Sequence, residues 1–405
     1  MGQPVRKIIK EQHPEMITKE PIYTLLVDGT NLLKVSFVDP RVNTRGEHYG
    51  GVFQFLLQLN MMLKKKSFDY VYVFFDDEDS GIMRYELYHD YKANRDKKYA
   101  EHSENLGQKS DYMLEYEANL KRMRNYIYGK QSAQKALKTG KEMTQQEIED
   151  LNFQREREML MNYFNELYIR WMMDEVTEAD DLIAYYVQHK KPEEKIVIMS
   201  TDEDLTQLIA DDVCIYNKLL KKFISTKNFK EIKGYHQSNV VTKKILIGDS
   251  SDNIGNIEGV SEKRLYELMP EITERPVTVE EIRERAKLLT EERVKQKKKP
   301  LKWQQNIIDG VSKKHYEGDF YEINRKLIDL KNPLVTPEAE EELKSMMYAP
   351  QDPEGRSIQN VVEMVYKDDL TELRSDARFT SFFEPFNSLI SKEKKRYADE
   401  MRKQK

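Results

Sequence analysis

The chain has 405 residues, 39% apolar and 34% charged, with a formal net charge of −5, enough for one large domain or two to three ordinary ones. Its longest apolar runs reach about six residues, as at Tyr70–Phe75, far short of the ~20 that a membrane-spanning helix needs. The first twenty residues carry Pro4 and several charges but no apolar core, so they read as a polar tail rather than a signal peptide, and the lone Cys214 excludes a disulfide framework and reads as a buried thiol in a reducing cytoplasm.

In chain order, Tyr23–Val27 is a buried strand, and Asp28-Gly29-Thr30-Asn31 turns from it into a helix. Apolar residues at 52, 53, 56, 59 and 63 form the stripe of a helix over Val52–Leu63. Asp69–Phe75 is a second buried strand ending at Asp76-Asp77. Arg84 to Gln154 is long, polar and without a strand signal. Leu160, Phe164 and Leu167 then mark a helix that feeds the alternating stretch Tyr168–Met173. Glu178-Ala179-Asp180-Asp181 opens another helix, Lys195–Met199 is a strand, Asp202–Ile209 is helical and Val213–Tyr216 is a strand. Such alternation predicts an α/β fold with a mostly parallel central sheet flanked by helices, whose site forms outside the carboxyl ends of the strands. Beyond Thr226 the chain turns to short helices and a glycine-containing hairpin; Thr278–Val294 is a charged helix, Gln296–Pro300 a basic linker, and the remainder is helical and polar.

Nine carboxylates recur at these predicted strand and hairpin ends. They are Asp28, Asp76, Glu178, Asp180, Asp181, Asp202, Asp204, Asp249 and Asp252. Any one alone reads as a helix N-cap or a surface charge. Gathered on one sheet edge they would repel each other and titrate high unless cations neutralise them. The set therefore points to a two-metal site for phosphodiester chemistry, with ions ~3.5–4 Å apart. These nine acids outweigh the net charge of −5, so the rest of the chain is basic and a nucleic-acid partner stays open.

Four motifs in order resemble the 5′-nuclease family of flap endonucleases and 5′→3′ exonucleases, within it the phage type, phage RNase H among them. They are the acid series, with Glu178-Ala179-Asp180-Asp181 and Ser200-Thr201-Asp202-Glu203-Asp204; Tyr91-Lys92-Ala93-Asn94-Arg95 preceded by Arg84; Gly248-Asp249-Ser250-Ser251-Asp252-Asn253 leading into Gly259-Val260-Ser261-Glu262-Lys263; and Asn324–Leu330. The resemblance implies a PIN-like core over 21–225 after a tail at 1–20, with a helical arch inserted at about 84–154. A helix–three-turn–helix duplex-binding element at 226–270 and a helical region at 271–405 would follow.

The resemblance also implies that Asp28, Asp76, Glu178, Asp180 and Asp181 serve one Mg²⁺ and that Asp202, Asp204, Asp249 and Asp252 serve another, with Mn²⁺ able to substitute. Asp28, Asp76, Asp181, Asp202, Lys92 and Arg95 then form the catalytic set. Lys92 and Arg95 would hold the charge developing on phosphate, and Tyr91 would stack on a base of the single strand. Arg84, Lys121, Arg122 and Arg124 are further DNA contacts. The last three lie in Ala118–Lys141, a stretch with seven cations, Tyr126 and Tyr128, and no acid, which reads as a single-strand channel or as an ordinary basic helical face. Gly259, Ser261 and Lys263 would hold duplex backbone and possess the position of a family K⁺ site. The expected partners are flapped DNA and RNA–DNA hybrid, with a sliding clamp and a single-strand-binding protein as replication partners. Phe379–Phe383 has clamp-peptide spacing but reads better as packing, and Lys392–Lys405 reads as a solvated helix. The competing readings are a PIN-type ribonuclease and a non-catalytic junction binder.

Overall fold

A computed structural model describes residues 20–77, 80–93 and 145–404. The 1–20 tail (apart from residue 20), most of the predicted arch, and Arg95, Lys121, Arg122 and Arg124 lie outside the described residues.

Six strands form one sheet in the order β3-β2-β1-β4-β5-β6. β1 (Ile22–Asp28) is central, with β2 (Tyr70–Asp76) and β4 (Glu194–Met199) parallel on either side. β3 (Arg170–Asp174) and β5 (Val213–Asn217) extend the parallel part, and the short β6 (Lys222–Ile224) closes one edge antiparallel. The central strands are unbroken apolar runs because a parallel sheet is covered on both faces. Alternation along each strand divides those runs between two cores. Leu25, Val27, Val71, Val73 and Phe75 face one way and Leu26, Tyr72, Phe74, Ile196 and Ile198 the other.

On the first face lie α2 (Gly50–Lys65) and α4 (Gln145–Glu166), through Val52, Phe55, Leu56 and Leu59, and Leu160 and Phe164. The second face is covered by α5 (Ala179–His189), through Leu182, Ile183 and Tyr186. Three short helices, α1 (Gly29–Ser36), α3 (Ile82–Leu87) and α6 (Phe229–Lys233), follow β1, β2 and β6. The predicted helix over Asp202–Ile209 is a single 3₁₀ segment, Asp204–Leu208. The Tyr168–Met173 alternation becomes β3, an edge strand beside β2.

The second half packs across the expected division into 226–270 and 271–405. The division at 270 falls inside one packed cluster. Ile245, Leu246, Ile257 and Leu265, from α7 (Val240–Ile247), α8 (Glu262–Leu268) and the turn between them, pack with Ile282, Ile307, Phe320 and Leu327 from α9 (Val279–Lys295), α10 (Lys302–Asp309) and α11 (Phe320–Ile328). The chain beyond 330 then returns to the sheet rather than standing apart. Leu343 of α12 (Pro337–Met346) joins the second face. Val361 of α13 (Ile358–Lys367), Phe383 of α14 (Asp376–Phe383) and Leu389 of α15 (Phe386–Lys403) join the first.

The C-terminal helix is therefore solvated on one side only, because Glu393 is fully buried and pairs with Arg170 of β3. Phe382 and Phe383 are buried too, so the clamp-like spacing serves packing. Cys214 is half-buried rather than buried, and burial raises its thiol pKa. Among the described residues no helix is long and apolar enough to cross a membrane. Phe383→Ala, which empties a wholly buried ring site, is expected to lower unfolding free energy by about 3–5 kcal/mol in chemical denaturation. A change within error would show that the terminal helices are not part of the core.

Candidate metal centre

The carboxyl ends of β1, β2 and β4 meet at one cavity of about 450 Å³. Seven of the nine predicted acids line it: Asp28, Asp76, Glu178, Asp180, Asp202, Asp204 and Asp252. Lys34, Arg84, Tyr91 and Lys92 add cationic and aromatic wall, while Leu327, Ile328 and Leu330 make an apolar side. The segment Asn324–Leu330 thus has a place in the site. Its backbone is tied in by Arg84 Nε to Leu327 O at 2.9 Å and by Gln207 Nε2 to Ile328 O at 2.9 Å.

Each acid is fixed by the local fold. Asp28 ends β1 and caps α1, its Oδ1 accepting from the Asn31 N–H at 3.0 Å and its Oδ2 from Ser200 Oγ at 2.8 Å. The Asp202 N–H in turn donates to Ser200 Oγ at 2.9 Å, and the Asp204 N–H to Asp202 Oδ1 at 2.8 Å. Gly29 lets α1 lie this close to β2, since a Cβ there would stand 2.7 Å from the Phe74 carbonyl oxygen. Asp76 accepts the Ala179 N–H at 2.9 Å, which joins β2 to the start of α5. Gly248 (φ +70°) closes the turn that presents Asp249, because a Cβ there would meet the Ile254 carbonyl at 2.6 Å.

Asp249 and Asp181 stand off the cavity wall. Asp249 remains in the cluster: it offers an oxygen that lies, with one each from Asp204 and Asp252, within 4.8 Å of the others. Asp181 is wholly buried and engaged by Arg84 Nη1 and Nη2 and by the Leu334 N–H at 2.9 Å. Asp181 thus stands behind the cavity wall, its oxygens serving Arg84 and the Leu334 N–H, so the expected service to an ion would run through those neighbours.

Three cations are built in. Arg84 is buried and donates to Glu178, Asp181 and the Leu327 carbonyl. Its predicted DNA contact is corrected, since every guanidinium nitrogen is spent inside the protein. Lys92, in the left-handed region at φ 58°, pairs with Glu178, and its N–H donates to the Asp252 carbonyl at 2.9 Å. Tyr91 is also buried, its hydroxyl 3.2 Å from Glu178, so its predicted base stacking is corrected to packing against that acid. Lys244 was not foreseen. It bridges Asp204 and Asp249, at 2.7 Å to the latter, from one helical turn before Asp249.

These cations divide the acids into two kinds. Burial pushes Glu178 up, but Lys92 and Arg84 overcome it and hold the carboxyl down at about 2. Lys244 does the same for Asp249, against burial, also to about 2. Burial, then the charges of Asp76 and Asp202, raise Asp28 to about 7. Burial, with Asp202 adding to it against Lys244, raises Asp204 to about 7. Asp180 is raised by burial and by Asp202, Asp28 and Asp76, Asp202 by burial first, and Asp181 by burial in spite of Arg84. Negative charge at the centre therefore exceeds what the protein supplies to balance it. A hard divalent cation fits that deficit and the all-oxygen donor set.

At the predicted duplex-binding turn, Gly259 has φ +79°, and a Cβ there would come within 3.2 Å of Trp303. Ser261 caps α8 by accepting from the Arg264 N–H, and Lys263 is exposed, 4.0 Å from Glu267. The Gly259 carbonyl accepts from Arg264 Nη1.

The family model of the 5′–3′ exonuclease N-terminal resolvase-like domain matches residues 23–243, more than half of the chain. The chain belongs to that family. The 5′–3′ exonuclease of Mycoplasmopsis pulmonis is 41% identical over 93 residues, 23% of this chain and 31% of that protein. A DNA polymerase I of Rhizobium leguminosarum is 29% identical over 119 residues, 28% of this chain and 12% of that protein. The chain thus spans a third or less of the length of these two relatives. The flap endonuclease of Escherichia phage T5 is 24% identical over 274 residues, 65% of this chain and 75% of that protein. A solved structure of the T5 D15 flap endonuclease in complex with DNA and metal ions shares the fold: TM-score 0.51, 17% identity, with 92% of this chain and 99% of that one covered.

The raised carboxyls set the sign of a pH effect. Unfolded carboxyls ionise near ~4, whereas Asp28 and Asp204 ionise at about 7 when folded. Unfolding between these values releases protons, so metal-free stability falls as pH rises from ~4 to ~7. The depressed Glu178 and Asp249 act the other way only below ~4. A divalent ion is expected to raise the melting temperature more at about pH 8 than at about pH 5.5, where protons compete for the same oxygens. Equal shifts at both pH values would remove these carboxyls from the binding site.

Proposed function

We propose that this protein is a metal-dependent, structure-specific 5′ nuclease, a flap endonuclease and 5′→3′ exonuclease acting on flaps, nicks and RNA–DNA primer junctions during replication. The observation that carries the reading is the seven-acid cavity with Lys92 on its wall, in a chain of the 5′–3′ exonuclease family. Asp28, Asp76, Glu178 and Asp180 would hold one ion, and Asp202, Asp204, Asp249 and Asp252 a second; Mg²⁺ suits these oxygens, and Mn²⁺ can replace it. When bound, the ions supply Lewis acidity at the scissile phosphate.

The chain's own residues do the rest. The acids position and orient, being fixed by backbone N–H groups and by Ser200. Lys92 is the cation nearest Glu178 on the open wall, with a quarter of its side chain exposed, and would meet the charge that develops on phosphate. Leu327, Ile328 and Leu330 keep one side of the cavity apolar and limit competing water. The Asp249–Asp252 loop and the 88–93 segment are held together, by Asn253 Nδ2 to the Asp90 carbonyl at 2.6 Å and by the Lys92 N–H to Asp252. Phosphate-contacting and metal-holding groups would therefore move as one body, an arrangement that a minimal PIN-type ribonuclease does not require.

Purified protein with Mg²⁺ should incise a 5′-flap DNA and lose that activity in EDTA. Asp202→Asn should reduce the rate by at least the ~100-fold that loss of a metal-orienting group costs. Tight flap binding with no turnover in Mg²⁺ or Mn²⁺ would instead establish a non-catalytic junction binder.

A further inference from the structure

The segment that joins α9 to α10 carries a charge density that the cavity does not use. Residues 293–302 contain Arg293, Lys295, Lys297, Lys298, Lys299 and Lys302 and no acid. All but Arg293 are exposed. Its backbone is a formed structure. The Lys298 N–H donates to the Arg293 carbonyl at 2.8 Å and the Lys297 N–H to the Val294 carbonyl at 2.8 Å, the two bonds of a Schellman C-cap. Arg293 Nε donates back to the Lys299 carbonyl at 3.0 Å, which closes the loop on itself.

Lys297 occupies the left-handed position of that cap, at φ 60°. Glycine is the residue that adopts this conformation without a steric penalty, and a lysine there strains the backbone. A strained position held by a long cationic side chain points to a use for that side chain.

The loop's place in the fold supplies the partner. Lys302 pairs with Glu258 at 3.1 Å, Trp303 packs on Gly259, and Asn306 Nδ2 donates to the Glu258 carbonyl at 2.9 Å, so the start of α10 lies along the predicted duplex-binding turn. The same two segments continue side by side toward the cavity. The Glu258 N–H donates to Val311 O at 2.9 Å, Ile257 bridges Ser312, and Lys314 Nζ reaches Asn253 O at 2.5 Å, next to Asp252 of the cavity wall. Gly259 comes seven positions after Asp252, at most ~25 Å of extended chain, less than one ~34 Å turn of B-form duplex.

We propose that the loop over residues 295–302 is a second phosphate-backbone contact for the duplex arm of the substrate, extending the Gly259–Lys263 turn away from the acidic cavity. It deepens the nuclease reading, which it needs only to fix where the duplex ends. The contact carries no base information: exposed lysines on phosphates supply affinity and salt dependence, not sequence preference.

The test is binding, in EDTA so that no strand is cut, of flap substrates whose duplex arms are about 5 or about 20 base pairs, against a change of Lys297, Lys298 and Lys299 to Gln together. The expected result for the long arm is affinity lower on the order of tenfold and a salt slope smaller by about 2–3, with the short arm unaffected. Unchanged long-arm binding, or equal weakening on both arms, would overturn the proposal. Lys297→Gly separates the strain from the contact: the melting temperature should rise while the salt slope falls by about one. A rise with the slope unchanged would show that this side chain meets no phosphate. If the wild-type protein cuts no substrate, the nuclease reading fails while this binding comparison still decides the loop.

Discussion

The structure depends on a confined excess of negative charge. Parallel strands β1, β2 and β4 end side by side, so whatever their last residues carry is forced together, and here it is Asp28, Asp76 and, just past β4, Asp202 and Asp204. The hydrophobic faces of the sheet fix the register. A one-residue slip would turn the Leu25/Leu26 and Val73/Phe74 alternation inside out, so the strand ends cannot separate to relieve the repulsion. Packing therefore holds the acids where electrostatics alone would not, and the raised carboxyls of Asp28, Asp180 and Asp204 record that conflict.

The rest of the chain manages this charge. Arg84, Lys92 and Lys244 come from three separate elements and each bridges or caps particular acids, leaving the centre under-compensated. Removing Arg84 would leave the buried Asp181 carboxylate with the Leu334 N–H, a loss that costs far more than an exposed ion pair contributes. The C-terminal half has the same purpose at longer range. Gln207 clasps the 328–330 backbone from the 3₁₀ segment beneath Asp204, and Asn324 donates to the Ile245 and Gly255 carbonyls, so the apolar wall is anchored to both halves of the acid set.

Much of this was legible in the sequence. The strands were readable because doubly covered parallel strands are continuous apolar runs, and the acids because they stand at the ends of those runs. The charged helix read over Thr278–Val294 is there as α9, and the structure adds a capping box at Thr278. What sequence could not give was pairing over distance. Arg84 reads as a DNA contact because its partner Asp181 is 97 residues away, and Lys244 draws no reading at all because Asp204 lies 40 residues before it. For Tyr91 the sequence leaves base stacking and packing at the foot of the arch both open, and the structure encloses its ring. A helical and polar reading of the C-terminal region does not say which face of the sheet its helices cover, and the two ends of 271–405 belong to different cores.

The same pairing constrains how a polyanion can bind. The cations nearest the chemistry are engaged by acids, which makes the cavity a poor site for phosphate until divalent charge enters it. On the proposed function, substrate affinity and substrate chemistry would thereby be separated in space, with attraction at a distance coming from lysines and arginines outside the cavity and reaction from within it. A protein with net charge −5 can then bind nucleic acid, provided its positive charge lies along the path of the duplex and its negative charge is sunk in one pit. That division also favours selectivity. On the proposed nuclease reading, a phosphate backbone held by outlying cations would reach the acids where a strand end or junction lets it bend inward, whereas continuous duplex, being stiff, would be held without being presented.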